Sequence, residues 1–191
     1  YEYDLPLCNY AETKKRLLFV GNMSYGPNTK GVDRFVECVF PQIREQIADV
    51  ELHLVGGCNQ QAYLDKWSKI EGVQYMGLVD DLQQEYLQAQ VVVVPIYGGA
   101  GTNIKVLEAM QMRRPCVTTP YGMRGFSEYF ADGKEILIAE NETTFAEKVV
   151  HLLNNEMKNH TIATNAYSAM TAHFSRKAFN KIVEHTFKSL C

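Results

Sequence analysis

Val91-Val92-Val93-Val94-Pro95-Ile96-Tyr97-Gly98-Gly99-Ala100-Gly101-Thr102-Asn103-Ile104-Lys105-Val106-Leu107-Glu108-Ala109-Met110 is the stretch that decides the fold of this chain. The unbroken valine run reads as a strand buried on both faces, because such strands lose the in–out alternation. A turn of small residues follows, and Asn103 to Met112 then reads as a helix. Strand, small-residue turn and helix in that order present backbone N–H groups and a positive helix end to an anion. Gly98, Gly99, Ala100 and Gly101 leave almost no side chain in the way of a ligand. Thr102 or Asn103 suits the helix cap. Lys105 and Glu108 share one helix face near its start. A lysine there suits a diphosphate, and a carboxylate suits sugar hydroxyls. Read from the residues alone, the pattern also fits a tight strand–helix turn carrying an ordinary i,i+3 ion pair.

Outward from this stretch, strands and helices alternate. Arg16 to Gly21, Val50 to Val55, Val73 to Met76, Cys116 to Thr119 and Glu135 to Ala139 read as further strands. Helical spacing covers Val32 to Ile47, Gln60 to Ile70, Asp80 or Asp81 to Ala89, Thr143 to Leu153, Met157 to His173 and Ser175 to Leu190. Thr143 or Thr144 suits the cap of its helix. About six strands alternating with helices imply an α/β, doubly wound, Rossmann-like parallel sheet with helices on both faces. Ligands in such sheets bind at the carboxyl ends of the strands. Three loops fall there: Gly21 to Gly31, Gly77 to Asp81 and Gly98 to Asn103.

The 191 residues suit one compact domain, and 46% hydrophobic with 21% charged residues is an ordinary globular composition. A net charge of −3 gives no field that attracts nucleic acid. The five cysteines are scattered without a C-x-x-C, which points to reduced thiols in a cytoplasmic setting. The five histidines form no H-x-H or H-E-x-x-H, so no metal site is expected. No window reaches the apolar length of a membrane span, and no signal peptide is visible. The chain begins at Tyr1, which raises the expectation of a fragment of something longer.

The stretch from Pro95 to Thr119 resembles the signature of GT-B-type retaining glycosyltransferases of the "group 1" family. Leu107-Glu108-Ala109-Met110 is similar to that family's L-E-A-M-A-x-G-x-P-V-V element, with Pro115-Cys116-Val117 in its final part. Leu17 to Met23 with Lys30-Gly31 resembles the family's first strand and glycine loop. Val73 to Asp81 resembles the strand and loop at the base pocket. Asp132 to Ile138 resembles the family's D-G-x-x-G/L-L-V segment. Four motifs in order cover almost the whole chain.

The resemblance implies roles by position. Glu108 holds the ribose hydroxyls of a nucleotide diphosphate-sugar, and Lys105 helps to orient the sugar. Gly99 to Asn103 (Gly99, Ala100, Gly101, Thr102, Asn103) surround the diphosphate, with Ala100 to Asn103 offering backbone N–H groups. Gly21 and Asn22 border the same site, and Lys30 is the candidate diphosphate cation. Gly77, Leu78 and Val79 bracket the base. Two departures stand out. Many members carry a second, sugar-contacting glutamate where this chain has Ala100, and many carry an arginine where it has Asn22. Arg124 reads as a solvated loop arginine within reach of a phosphate or carboxylate.

GT-B enzymes have two such domains, and this chain resembles the C-terminal, donor-binding one. Residues 1–15 form an entry segment, 16–174 the Rossmann-like core, and 175–191 a terminal helix that crosses to an N-terminal domain outside this chain. The implied reaction moves a sugar to an acceptor hydroxyl with retention, without a metal or other cofactor, in polysaccharide or glycoconjugate synthesis. The acceptor, a glycan or lipid-linked sugar, would be held by the other domain, and the whole protein would be cytoplasmic or peripheral to a membrane. This chain alone is expected not to turn over. The alternative is a non-catalytic nucleotide or nucleotide-sugar module; a flavodoxin-like signalling domain lacks the expected acidic cluster after the first strand.

Overall fold

The structure is a computed structural model, and it describes residues 5–178 and 180. Its order is β1 (Arg16–Val20), α1 (Gly26–Arg34), a π-helical turn (Phe35–Val39), α2 (Phe40–Gln46), β2 (Glu51–Val55) and α3 (Gln61–Trp67). There follow β3 (Val73–Gly77), α4 (Leu82–Gln88), β4 (Val91–Val94) and α5 (Ile104–Gln111). The last elements are β5 (Cys116–Thr118), β6 (Leu137–Ile138), α6 (Glu142–Leu153) and α7 (Glu156–Phe174).

The six strands form one sheet in the order β3-β2-β1-β4-β5-β6. Every pairing is parallel. The chain therefore winds outward from β1 to β3, then returns to the middle and winds the other way from β4 to β6. Right-handed crossovers of opposite direction place helices on opposite faces. The direction reverses between β1 and β4, and that switch point opens a crevice at the carboxyl ends of the two strands. All four valines of β4 are buried, as their uniform apolarity requires of a central, doubly covered strand.

Several boundaries differ from the sequence reading. The first helix begins at Gly26, not Val32, because Pro27 sits in its first turn, where a missing N–H costs nothing. Lys30 is thus a helical residue, not part of a glycine loop. Pro41 has no N–H to offer Glu37, and the helix responds with a π-turn in which Phe40 N–H reaches back to Phe35 O. Asn141, not Thr143 or Thr144, caps α6. Its side chain accepts from Thr144 N–H while the Thr144 hydroxyl serves Asn141 N–H, a reciprocal capping box. The last strand shortens to Leu137–Ile138. Asp81 caps α4 as expected, accepting from Gln83 and Gln84 N–H. The apolar face expected at Phe179, Ile182, Val183 and Phe187 lies outside the described residues.

One arginine is part of the core. Arg114, fully buried between α5 and β5, donates to the carbonyls of Tyr86 at 2.6 Å, Pro6 at 2.9 Å and Leu87 at 3.3 Å. It also reaches those of Met112 at 3.3 Å and Arg113 at 2.9 Å. The guanidinium thereby ties the entry segment to α4 and to the end of α5.

Candidate functional site

Close backbone packing shapes the switch-point crevice. A Cβ on Gly31 would lie 2.0 Å from Pro95 O, so α1 lies directly against the segment leaving β4. Gly56, at φ +132°, would place a Cβ 2.0 Å from Gly21 O, so only glycine lets the β2 exit pass beneath the β1 exit. Asn28 in α1 donates to Asn22 O at 2.8 Å, and Asn22 Oδ1 accepts from Ser24 N–H at 2.9 Å. These bonds fix the Gly21–Tyr25 loop at the mouth of the crevice.

Lys105 and Glu108 are both half-buried. They form no ion pair with each other, and among the described residues neither side chain has a hydrogen-bond or ion-pair partner. The Lys105 stem instead crosses over Gly21, where a Cβ would sit 2.7 Å from Cε. The ordinary i,i+3 pair that the sequence left open is therefore absent. Burial holds the Lys105 ammonium below the usual lysine range, with Glu108 pulling the other way. A half-buried cation and carboxylate with no partner among the described residues are costly to keep; a ligand carrying the opposite groups would satisfy both.

A cavity of about 500 Å³ lies beside them, lined by Gly21, Asn22, Gly56, Gly57, Leu78, Val79 and Leu82 among others. Its apolar walls and three strand-end glycines suit a flat ring. Leu78 is 86% exposed at its edge. Leu82 also lines a second cavity, of about 450 Å³, together with Glu108 and Asp81. Glu108 thus stands one residue away from the flat-ring cavity, joined to it through Leu82.

The glycine-rich turn is more heavily braced than the sequence indicates. Tyr25 Oη accepts from Ala100 N–H at 3.2 Å. The Tyr121 hydroxyl donates to Gly99 O. Arg124 donates to Gly99 O at 3.2 Å and Gly101 O at 3.3 Å, its guanidinium 4.5 Å above the Tyr121 ring. Arg124 is therefore a clamp on the turn and not a freely solvated arginine. Asn103 holds the N-cap position but makes no side-chain cap bond; its amide donates to Gly122 O at 3.3 Å. With its carbonyls occupied, the turn leaves the N–H groups of Gly101, Thr102 and Asn103 without an acceptor among the described residues. The Ala100 N–H, counted by sequence with these three, is taken by Tyr25.

Between α1 and the segment after β4 a third cavity, of about 370 Å³, is lined by Lys30, Arg34, Tyr97, Gly98 and Gly99 among others. Sequence reading placed Lys30 near the site and missed Arg34, Tyr25, Tyr97 and Tyr121. Arg34 lies one helical turn beyond Lys30, so the i,i+4 spacing was the available signal. Gly77 ends β3, and the Gly77–Val79 segment brings Leu78 and Val79 to the flat-ring cavity. Among the described residues no group of three or more His, Cys, Asp and Glu is placed to hold a metal ion. No helix there is long and apolar enough to cross a membrane.

A doubly wound parallel sheet with a glycine-rich turn at its switch point, and beside it a lysine and a carboxylate with no partner among the described residues, defines the class of Rossmann-like α/β folds. The profile of the Glycosyl transferases group 1 family matches residues 14–155, and the chain belongs to that family. A Klebsiella pneumoniae relative described as an uncharacterized 44.6 kDa protein in the cps region is 28% identical over 189 residues. That match covers 95% of this chain and 46% of the relative, so the chain spans about half its length. TarM of S. aureus superposes with a TM-score of 0.79 at 18% identity, over 96% of this chain and 37% of TarM. Anabaena Alr3699/HepE, solved with UDP and glucose, gives 0.72 at 18% identity over 94% and 49%. The C-terminal domain of the group 1 protein LpcC from Francisella tularensis gives 0.68 at 18% identity over 86% and 88%. The fold is that of the C-terminal domain of a GT-B glycosyltransferase.

Proposed function

We propose that this chain is the donor-binding half of a glycosyltransferase and holds a nucleotide diphosphate-sugar at the β1–β4 switch point. The observation that carries this reading is the pair of unpartnered, half-buried groups, Lys105 and Glu108, beside a flat apolar cavity. In this arrangement the base enters between Gly21, Asn22 and Gly77–Val79. Glu108 accepts from both ribose hydroxyls. The diphosphate lies on Gly101 to Asn103, with Lys105 and Lys30 as its cations. Asn22, which carries no charge, leaves that compensation to the two lysines and the N–H groups of the turn.

In the intact protein the same donors stabilise the leaving diphosphate as the glycosidic bond breaks, which is the main electrostatic demand of the reaction. The sugar, of hexose size, passes with retention to a hydroxyl of a glycan or lipid-linked acceptor held by the other domain. The products belong to polysaccharide or glycoconjugate synthesis. UDP bound to HepE supports a nucleotide-sugar donor for this family fold.

Calorimetric titration with UDP, GDP and their sugars tests the reading, with and without EDTA. The expected result is one saturable site for one base, unchanged by EDTA. Absence of binding by every nucleotide overturns it. Binding without transfer, after the complete protein is assembled, marks instead a module that kept its ligand and lost its chemistry; Ala100 and Asn22 are the departures that motivate that outcome.

The lowered Lys105 pKa gives a pH signature. A bound diphosphate stabilises the ammonium and raises its pKa, so affinity is full while Lys105 is charged in the free protein. Affinity then falls as pH rises through the depressed free-state value. Phosphate groups are already ionised above about pH 7 and add no slope. Affinity measured from pH 7 to 9, below the range in which the uracil or guanine ring N–H ionises, is expected to decline earlier than an ordinary lysine would allow, and Lys105→Arg removes that decline. A flat profile in the unaltered chain counts against Lys105 as a diphosphate cation.

A further inference from the structure

The cavity between α1 and the segment after β4 carries two cations, Lys30 and Arg34, on a lining otherwise of glycines, Pro27 and Tyr97. Its side chains with polar atoms are Lys30, Arg34 and Tyr97; the other lining residues are Gly26, Pro27, Gly31, Gly98 and Gly99. The Tyr97 hydroxyl is buried without a hydrogen-bond partner, and burial pushes its pKa up to about 12, so it stays protonated. Arg34 stacks over the Tyr97 ring at 4.2 Å, and its Nε donates to Glu142 at 2.5 Å. Glu142 engages that one edge of the guanidinium; Nη1 has no acceptor among the described residues. No carboxylate or amide side chain lines the cavity, and Gly99 O is already used by Tyr121 and Arg124.

Neutral sugar hydroxyls both donate and accept, and a site for them mixes acceptors with donors. Here the charged side chains that line the space, Lys30 and Arg34, are both cations, and among the described residues no side-chain carboxylate or amide lines it beside them. The cavity, about 370 Å³, adjoins the glycine-rich turn through Gly98 and Gly99. We propose that the donor sugar carries a carboxylate, as a hexuronic acid does, and that Arg34 binds it. Lys30 then faces the distal phosphate, and the Tyr97 ring beneath Arg34 holds the guanidinium flat. Glu142 keeps Arg34 oriented while the cavity is empty of ligand. This assignment rests on the donor-binding reading above and names the substrate class of that site.

The test is a calorimetric comparison on this chain of UDP-glucose with UDP-glucuronate, and of GDP-mannose with GDP-mannuronate. The hexuronate is expected to bind at least about tenfold more tightly for whichever base is accepted. Arg34→Gln should bring the two sugars to within about threefold, whereas Glu142→Gln should preserve the preference. If Arg34→Gln does not fold, Arg34→Lys decides, because it keeps the charge and loses the planar fork; the preference should fall at least threefold. Equal or weaker binding of the hexuronate, or a preference that survives loss of the guanidinium, overturns the proposal while leaving nucleotide binding intact. Failure of every nucleotide to bind removes the donor reading and this assignment together.

Discussion

Glu108→Ala is expected to weaken nucleoside diphosphate binding by about a hundredfold or more. Two hydroxyl hydrogen bonds to one carboxylate, each charge-assisted, amount to about 3 kcal/mol together, which is that factor in affinity. Among the described residues the carboxylate has no hydrogen-bond or ion-pair partner, so its removal is expected to cost the fold little. Melting temperature should therefore stay within a few degrees while binding is lost. Glu108→Gln keeps one acceptor and should fall between. A further comparison sharpens the role: the 2′-deoxynucleotide should lose part of the affinity for the unaltered chain, and Glu108→Ala should cost it less than it costs the ribonucleotide, because only the 3′-hydroxyl bond remains to be lost. If the ribose and deoxyribose forms bind equally well, Glu108 serves something other than the ribose.

The second large effect concerns stability. Arg114→Met removes a guanidinium that serves five main-chain carbonyls from fully buried surroundings. Methionine fills much of the volume and donates nothing. The stranded carbonyls lie on three segments, Pro6 in the entry segment, Tyr86 and Leu87 in α4, and Met112 and Arg113 at the end of α5, so no single local shift satisfies them all. A loss of about 4 kcal/mol is expected, or roughly a 10 °C fall in melting temperature for a domain of this size. Arg114→Lys should recover only part, because one ammonium cannot reach all five acceptors. Circular dichroism during heating reads the result; a shift under about 2 °C would mean that the arginine is not what holds the entry segment to α4 and α5. Burial lowers the Arg114 pKa, but guanidinium remains charged at any ordinary pH, so this contribution should not vary between pH 5 and 9.

The two predictions separate function from fold at neighbouring places on one helix. α5 carries Glu108 on a side open to ligand and ends against Arg114 in the core. Arg113, between them, adopts φ +50°, a left-handed position that usually belongs to glycine. Its guanidinium lies 4.1 Å over the Tyr167 ring. The helix stop that the family's glycine supplies is thus made here by a strained arginine held on an aromatic face.

The strand order was legible because apolar runs, glycine stops and alternation with helices admit few topologies. The central place of β4 followed from four consecutive valines. Helix ends were less legible. Pro27 and Asn141 are ordinary start signals, but the apolar periodicity began later than the first and two threonines competed with the second. Glycine positions and the Lys105–Glu108 spacing marked the region of the candidate site. What surrounds them did not show in sequence, because the contacts span long separations. Tyr25 meets Ala100, Arg34 meets Tyr97, and Lys105 crosses Gly21 only once β1 and β4 lie side by side. The absence of the Lys105–Glu108 ion pair is likewise a tertiary result, since burial over Gly21 draws the lysine away from its helical neighbour.

Amide chemical-shift mapping of the isotope-labelled chain during titration with UDP and GDP tests the central claim most directly. The account predicts saturable shifts for one of the two, largest at Gly21, Asn22, Leu78, Val79, Gly101, Thr102 and Asn103, and their loss in Glu108→Ala. Shifts confined to residues away from the β1 and β4 carboxyl ends, or no saturable shift at millimolar nucleotide, would contradict it.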